Sequence, residues 1–219
     1  MDWAQSLPED ASLLLVLDYP AAFSAEMRLI ATPVLRTVFA QGGTVSILTS
    51  APAGRLLFDQ LLADAELPEA LIAQDLGYYP VGSFGAYGLA QQALPPQNQL
   101  DLFNALPFEG FAGIVILGDD YEGAMAWIEQ FSSLAPETPI FLLVSAQAGP
   151  LLLPYYESGQ VRGMISGVSD AVDLVDHTTD LAQHWRAYQV GNVLMILMLL
   201  IGMSFPASHR QPAEGQDER

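Results

Sequence analysis

Cysteine and lysine are both missing from this chain of 219 residues. Without cysteine there are no disulfides, no thiolate nucleophiles and no thiolate metal sites. The basic side chains are all arginine (Arg28, Arg36, Arg55, Arg162, Arg186, Arg210 and Arg219), and 25 acids outnumber them to give a formal net charge of −18. Such a surface repels phosphate backbones, which excludes nucleic acid as an expected partner. Basic and apolar signal-peptide features are also missing from the start, MDWAQSLPED, so no secretion signal is expected. The length suits one globular unit with a sizeable core.

One uncharged stretch is also almost wholly apolar. AYQVGNVLMILMLLIGMSF, residues 187–205, is 19 residues long, and from Val193 to Met203 every residue except Gly202 is Val, Leu, Ile or Met. A helix of that length rises about 28 Å, close to the roughly 30 Å hydrocarbon thickness of a bilayer. A core helix keeps a polar face, whereas this one is apolar all round. Trp185 and Tyr188 stand at one end, Phe205 and Pro206 at the other, where interfacial rings and a helix stop belong. The alternative is a buried central helix, which needs a larger protein around it. The expectation is therefore a globular domain over 1–184, a single C-terminal transmembrane helix over 185–206 in contact with the lipid bilayer through 187–205, and a disordered tail over 207–219.

Ahead of that helix, apolar runs alternate with amphipathic segments. SLLLVLDYP (12–20), TVSILTS (44–50), FAGIVILGDD (111–120) and PIFLLVSA (139–146) are continuous runs of strand length, as in parallel strands covered on both faces. LIAQDLGYY (71–79) and VRGMISG (161–167) are weaker candidates. Helices are predicted over 21–40, with Phe23, Met27, Ile30, Val34 and Val38 on one face and Pro33 as a kink. Further helices are predicted over 52–65 and 120–134, with a short one around LLLPYYES. From Ser169, read as an N-cap, helical spacing runs on into the span as one rod. This gives an α/β fold: a doubly wound, mostly parallel Rossmann-like sheet of five or six strands.

The segments LVLDYPAAFSAEM, ILTSAPAG and LGYYPVGSFGAYGLA, and above all VSAQAGPLLLPYYESGQVRGMISGVSDA, resemble a group of uncharacterised membrane-anchored α/β proteins of Chloroflexota bacteria. The resemblance covers most of residues 12–205 and implies a bacterial source and a C-terminal transmembrane helix. It implies no activity. Members of that group carry a hydrophobic N-terminal segment that this sequence lacks. Arg186 ahead of the span and Arg210 and Arg219 behind it favour a cytoplasmic tail by the positive-inside rule, while the missing translocation signal favours a cytoplasmic domain. The cytoplasmic domain is the expectation carried forward.

Ligand chemistry in this fold gathers at the carboxyl ends of the strands, near the switch in strand order. The residues delivered there are Asp18, Tyr19, Thr49, Ser50, Asp119, Asp120 and Ser145. Asp18, Thr49 and Gly118-Asp119-Asp120 follow the order of a haloacid-dehalogenase-like phosphohydrolase: nucleophile, Thr or Ser, Mg²⁺-binding acids. Pro20 stands where that family needs its general acid, and its lysine has no counterpart. Helix capping accounts for the same residues: Asp119 with Glu122 as a capping box, and Ser50 ahead of Pro52 as a helix start. GSFGAYG (82–88) has G-x-x-G-x-x-G spacing after the third strand, not the dinucleotide fingerprint after the first; Gly82, Ser83 and Gly85 are ligand candidates, and a flexible turn is the plainer reading. His177, His184 and His209 lack any metal-binding pattern. Neither a metal nor a cofactor is expected. The overall expectation is a membrane-anchored, non-catalytic interaction or assembly module with protein partners in the membrane, a subunit of a bacterial complex. The alternative is a small-ligand-binding protein or Mg-dependent phosphohydrolase-like enzyme using the strand-edge acids.

Overall fold

The computed structural model describes residue 3 and residues 6–78, 110–172 and 180–204. Strands β1 (Ser12–Asp18), β2 (Thr44–Thr49), β3 (Ile72–Tyr78), β4 (Gly113–Gly118), β5 (Ile140–Val144) and β6 (Gly163–Ser166) form one sheet in the order β3-β2-β1-β4-β5-β6. Every pairing is parallel. The order reverses at β1, between β2 and β4, which defines the switch point of a doubly wound α/β fold.

Alternation along the strands divides two cores. Leu13, Leu15 and Leu17 of β1, with Val115 and Leu117 of β4, face one layer; Leu14 and Val16, with Ile114 and Ile116, face the other. Both faces are covered, which is why these strands read as unbroken apolar runs. The first layer is built by helices α1 (Ser24–Ala40), α2 (Gly54–Asp64) and α5 (Gly167–Val172); the second by α3 (Tyr121–Leu134) and α4 (Gly149–Glu157). Helix α1 buries Met27, Ile30, Ala31, Val34, Leu35 and Val38 and runs on past Pro33 to end at Gly42, whose φ is +79°. Its first predicted turn differs: Ala21–Phe23 is a separate 3-10 turn after Pro20, leaving Phe23 half-buried. Near the start of the chain Trp3 stacks on Phe141 of β5, ring centroids 4.1 Å apart.

Two predicted helix starts are displaced. The helix after β2 begins at Gly54 with no side-chain cap, because Ser50 is engaged elsewhere. The helix after β6 begins at Gly167, ahead of Ser169, and Asp170 accepts a hydrogen bond from the Ser166 amide (2.9 Å). Gly167 itself takes φ +70°.

Helix α6 (Asp180–Ser204) has 25 residues, about 37 Å at the α-helical rise. Its Trp185–Met203 stretch is long and apolar enough to span a membrane: 19 residues, mean hydropathy 1.5, none of it buried. Trp185 packs against the first core layer and stacks on Tyr188, with 5.6 Å between ring centroids. The helix thus begins five residues ahead of the apolar stretch and touches the domain before it leaves it. Whether it joins α5 as one rod depends on 173–179, outside the described residues, as are the tail, His177 and His209.

Candidate functional site

Four strand ends meet at the switch point. Leu17 pairs with Thr49, Asp18 with Gly118, and Gly118 with Val144, so the register sets Asp18, Ser50, Asp119, Asp120 and Ser145 along one edge. Of the residues predicted for a site, these and Tyr19 and Thr49 are brought together there. Gly82, Ser83 and Gly85 lie outside the described residues.

Asp18 is spoken for on both oxygens. Ser50 Oγ donates to Oδ1, and the indole Nε1–H of Trp127 on α3 donates to Oδ2 at 3.0 Å. Burial raises the Asp18 pKa above the ordinary carboxylate value, against the lowering effect of these two donors, with nearby Asp120 adding to the rise. Gly123 is where α3 comes closest: a β-carbon there would stand 2.6 Å from Asp18 Oδ2. The carboxylate therefore acts as a clasp joining β1, the end of β2 and α3. Each oxygen of Asp18 thus already accepts one hydrogen bond from within the fold.

The remaining residues divide in the same way. Thr49 Oγ1 has the carbonyls of Leu17 (3.2 Å) and Ala51 (2.9 Å) in reach of its single proton and accepts from the Ala51 amide, with Gly54 packed against it. Thr49 fixes the turn after β2. Asp120, not Asp119, caps α3, accepting from the Gly123 amide at 2.8 Å; the cap stands one residue later than predicted, and Gly123 in the third helical position replaces the glutamate that the predicted capping box needs. Asp119 is buried, and burial first, then Asp120 and Asp18, push its pKa up. Its carbonyl accepts from Ser145 Oγ at 2.8 Å. Ser145 in turn receives the Ala148 amide at 3.3 Å, so it anchors the turn into α4. Tyr19 is only 3% exposed, and burial lifts its phenol to about 12.

Two contributors escaped the sequence reading. Trp127 lies on the buried stripe of α3, three residues after Ala124 and four before Phe131; that spacing marks it as core, but its partner 109 residues away was not visible locally. Glu26, in the first turn of α1, accepts from the Ala146 amide at 2.9 Å. Its charge sits where a helix N-terminus otherwise welcomes an anion. Its carboxylate is turned to the Ala146 amide, which ties α1 to the turn after β5.

Among the described residues no group of three or more His, Asp or Glu side chains is arranged to hold a metal ion. Among the described residues the edge is negative, and no arginine is paired with its acids: Arg28 is engaged with Asp64, Arg36 with the Ala65 carbonyl, and Arg55 with Asp59 and Asp75. A phosphoryl group would find no counter-charge there. No protein-family model matches the chain, and no curated protein matches it in sequence.

Proposed function

We propose that this protein is a membrane-anchored, non-catalytic α/β interaction or assembly module, a subunit of a larger membrane complex. The observation that carries the reading is the Trp185–Met203 stretch, apolar and wholly unburied over 19 residues. A core helix can match it in length and composition but is mostly covered, and this one is not. Transferring so much side-chain area from water to lipid is favourable by tens of kcal/mol at roughly 25 cal/mol/Å², far more than the acidic domain's repulsion from anionic headgroups opposes. Support for the non-catalytic half comes from the strand edge, where Asp18, Thr49 and Ser145 spend their hydrogen-bonding capacity within the fold.

The test is fractionation of cells expressing the full chain. The protein is expected in the high-speed pellet, resistant to alkaline carbonate and released by detergent. Recovery as a non-aggregated species in the detergent-free supernatant would refute the anchor. For the assembly half, gentle detergent extraction from the native membrane should recover partners in stoichiometric amount. A lone protein at native abundance would refute it.

A further inference from the structure

Arg186 and Gln189 stand near the entry of the apolar stretch of α6, within reach of the interface, but one polar group lies close to its middle. Asn192 lies two residues from its midpoint, residue 194 of Trp185–Met203, about 3 Å along the axis. Among the described residues its carboxamide has no side-chain hydrogen bond, and the residues on either side, Gly191 and Val193, offer none. In water that would be unremarkable. In a bilayer interior, a carboxamide carries two N–H donors and a carbonyl that lipid cannot satisfy, and the cost falls on the helix until another helix supplies partners.

We propose, resting on the membrane reading above, that the occupant is a second copy of this chain, and that α6 forms a parallel homodimer through Asn192. Symmetry makes the choice. A parallel copy sets its own Asn192 at the same depth, and a carboxamide is its own complement: each C=O accepts from the other's N–H. The seam follows from spacing. Tyr188, Asn192, Met195, Leu199 and Gly202 recur at intervals of four, three, four and three residues, the repeat of a left-handed two-helix crossing. Gly202, with no side chain, lets a neighbouring backbone come close on that face. Asn192 holds a core position of that repeat, where a single buried Asn is known to fix register and favour two strands.

The absence of cysteine makes the test clean, because any cysteine introduced is the sole one in the chain. The full chain is reconstituted in phosphatidylcholine vesicles with single substitutions on the seam (Met195→Cys, Leu199→Cys) or opposite it (Leu197→Cys, Ile201→Cys). Vesicle flotation is scored in parallel with oxidative crosslinking. Disulfide dimers are expected at 195 and 199 and not at 197 and 201. On dilution with added lipid, adding Asn192→Leu should weaken dimerisation by about three- to thirtyfold, with Asn192→Gln retaining most of it. A chain that floats with the vesicles but crosslinks equally on all faces, stays monomeric, or is indifferent to Asn192→Leu overturns the homodimer while the anchor stands. A chain that fails to float overturns the membrane reading, and the dimer with it.

Discussion

Replacing Asp18 separates a structural clasp from a chemical group. In Asp18→Ala the Trp127 indole N–H keeps its place in a residue only 1% exposed and loses its acceptor. A buried donor left unsatisfied costs about 1–3 kcal/mol. Ser50, half-buried, turns to water at little cost. With 2–4 °C of melting temperature per kcal/mol for a domain of this size, Asp18→Ala should melt about 2–12 °C below the parent. Asp18→Asn behaves differently. Its carbonyl can face Trp127 while its NH₂ donates to the Ser50 hydroxyl, so both contacts survive without a buried charge. Because burial raises the folded-state pKa of Asp18, the folded protein holds that proton longer than the unfolded chain does. The stability this gives is full below the unfolded carboxylate pKa and is lost as pH rises through the folded value. Asp18→Asn removes that loss. Relative to the parent it should therefore gain stability from pH 4 towards pH 8, and Asp119, whose own rise comes in part from the Asp18 charge, loses part of that rise in the variant and so adds to the gain. Thermal melts of the full chain in detergent, followed by near-UV circular dichroism across that range, measure this. An Asn variant as damaged as the Ala variant, or one whose advantage shrinks as pH rises, would refute the clasp.

Three further perturbations address neighbouring parts of the argument. Gly123→Ala puts a methyl 2.6 Å from Asp18 Oδ2 and should cost about 1–3 kcal/mol through overpacking; in an Asp18→Ala background, read by urea denaturation, most of that cost should disappear. Trp3→Ala strips the ring stacked on Phe141 and should cost about 3 kcal/mol, with Trp3→Phe restoring most of it on the same denaturation curves. Placing arginine at both Leu197 and Leu200 opposes insertion by about 5–7 kcal/mol, so the chain should become carbonate-extractable while the domain's melting temperature stays put.

The central strands were legible because they are covered on both faces: β1, β2, β4 and β5 each appear as an unbroken apolar run, found within two residues of their ends. The edge strands were fainter for the same reason. β3 is mostly exposed or half-exposed and its register shifts twice against β2; β6 has only four residues. Capping was misread where two acids stand side by side. Asp119 and Asp120 satisfy the same local pattern, and the tie is broken by Ser145, whose hydroxyl holds the Asp119 carbonyl at the end of β4. The ends of the strands were foreseen as a meeting place, but not what the residues do there. That depended on contacts such as Trp127 with Asp18 and Glu26 with Ala146, 109 and 120 residues apart, which no local periodicity encodes.

The same contacts set this strand edge apart from the open switch point at which sheets of this order hold a dinucleotide. Folds that hold a dinucleotide at the switch point leave the turn after the first strand open, with glycine where the phosphate approaches and a bare helix N-terminus beyond. Here the turn is Asp18-Tyr19-Pro20, its tyrosine is buried, and a 3-10 turn intervenes before α1. Glu26 brings a full negative charge into the first turn of that helix. An incoming phosphate would have to displace protein from the crevice and then face Glu26, Asp119 and Asp120 with no cation nearby. At a few kcal/mol for each like charge met in a partly buried site, that outweighs what a helix N-terminus returns, about 0.3–2 kcal/mol. Closure of this edge leaves α6 as the largest apolar surface the described protein offers to anything outside itself. Since a net charge of −18 turns the domain away from anionic lipid, the proposed attachment rests on that helix and not on the domain's surface.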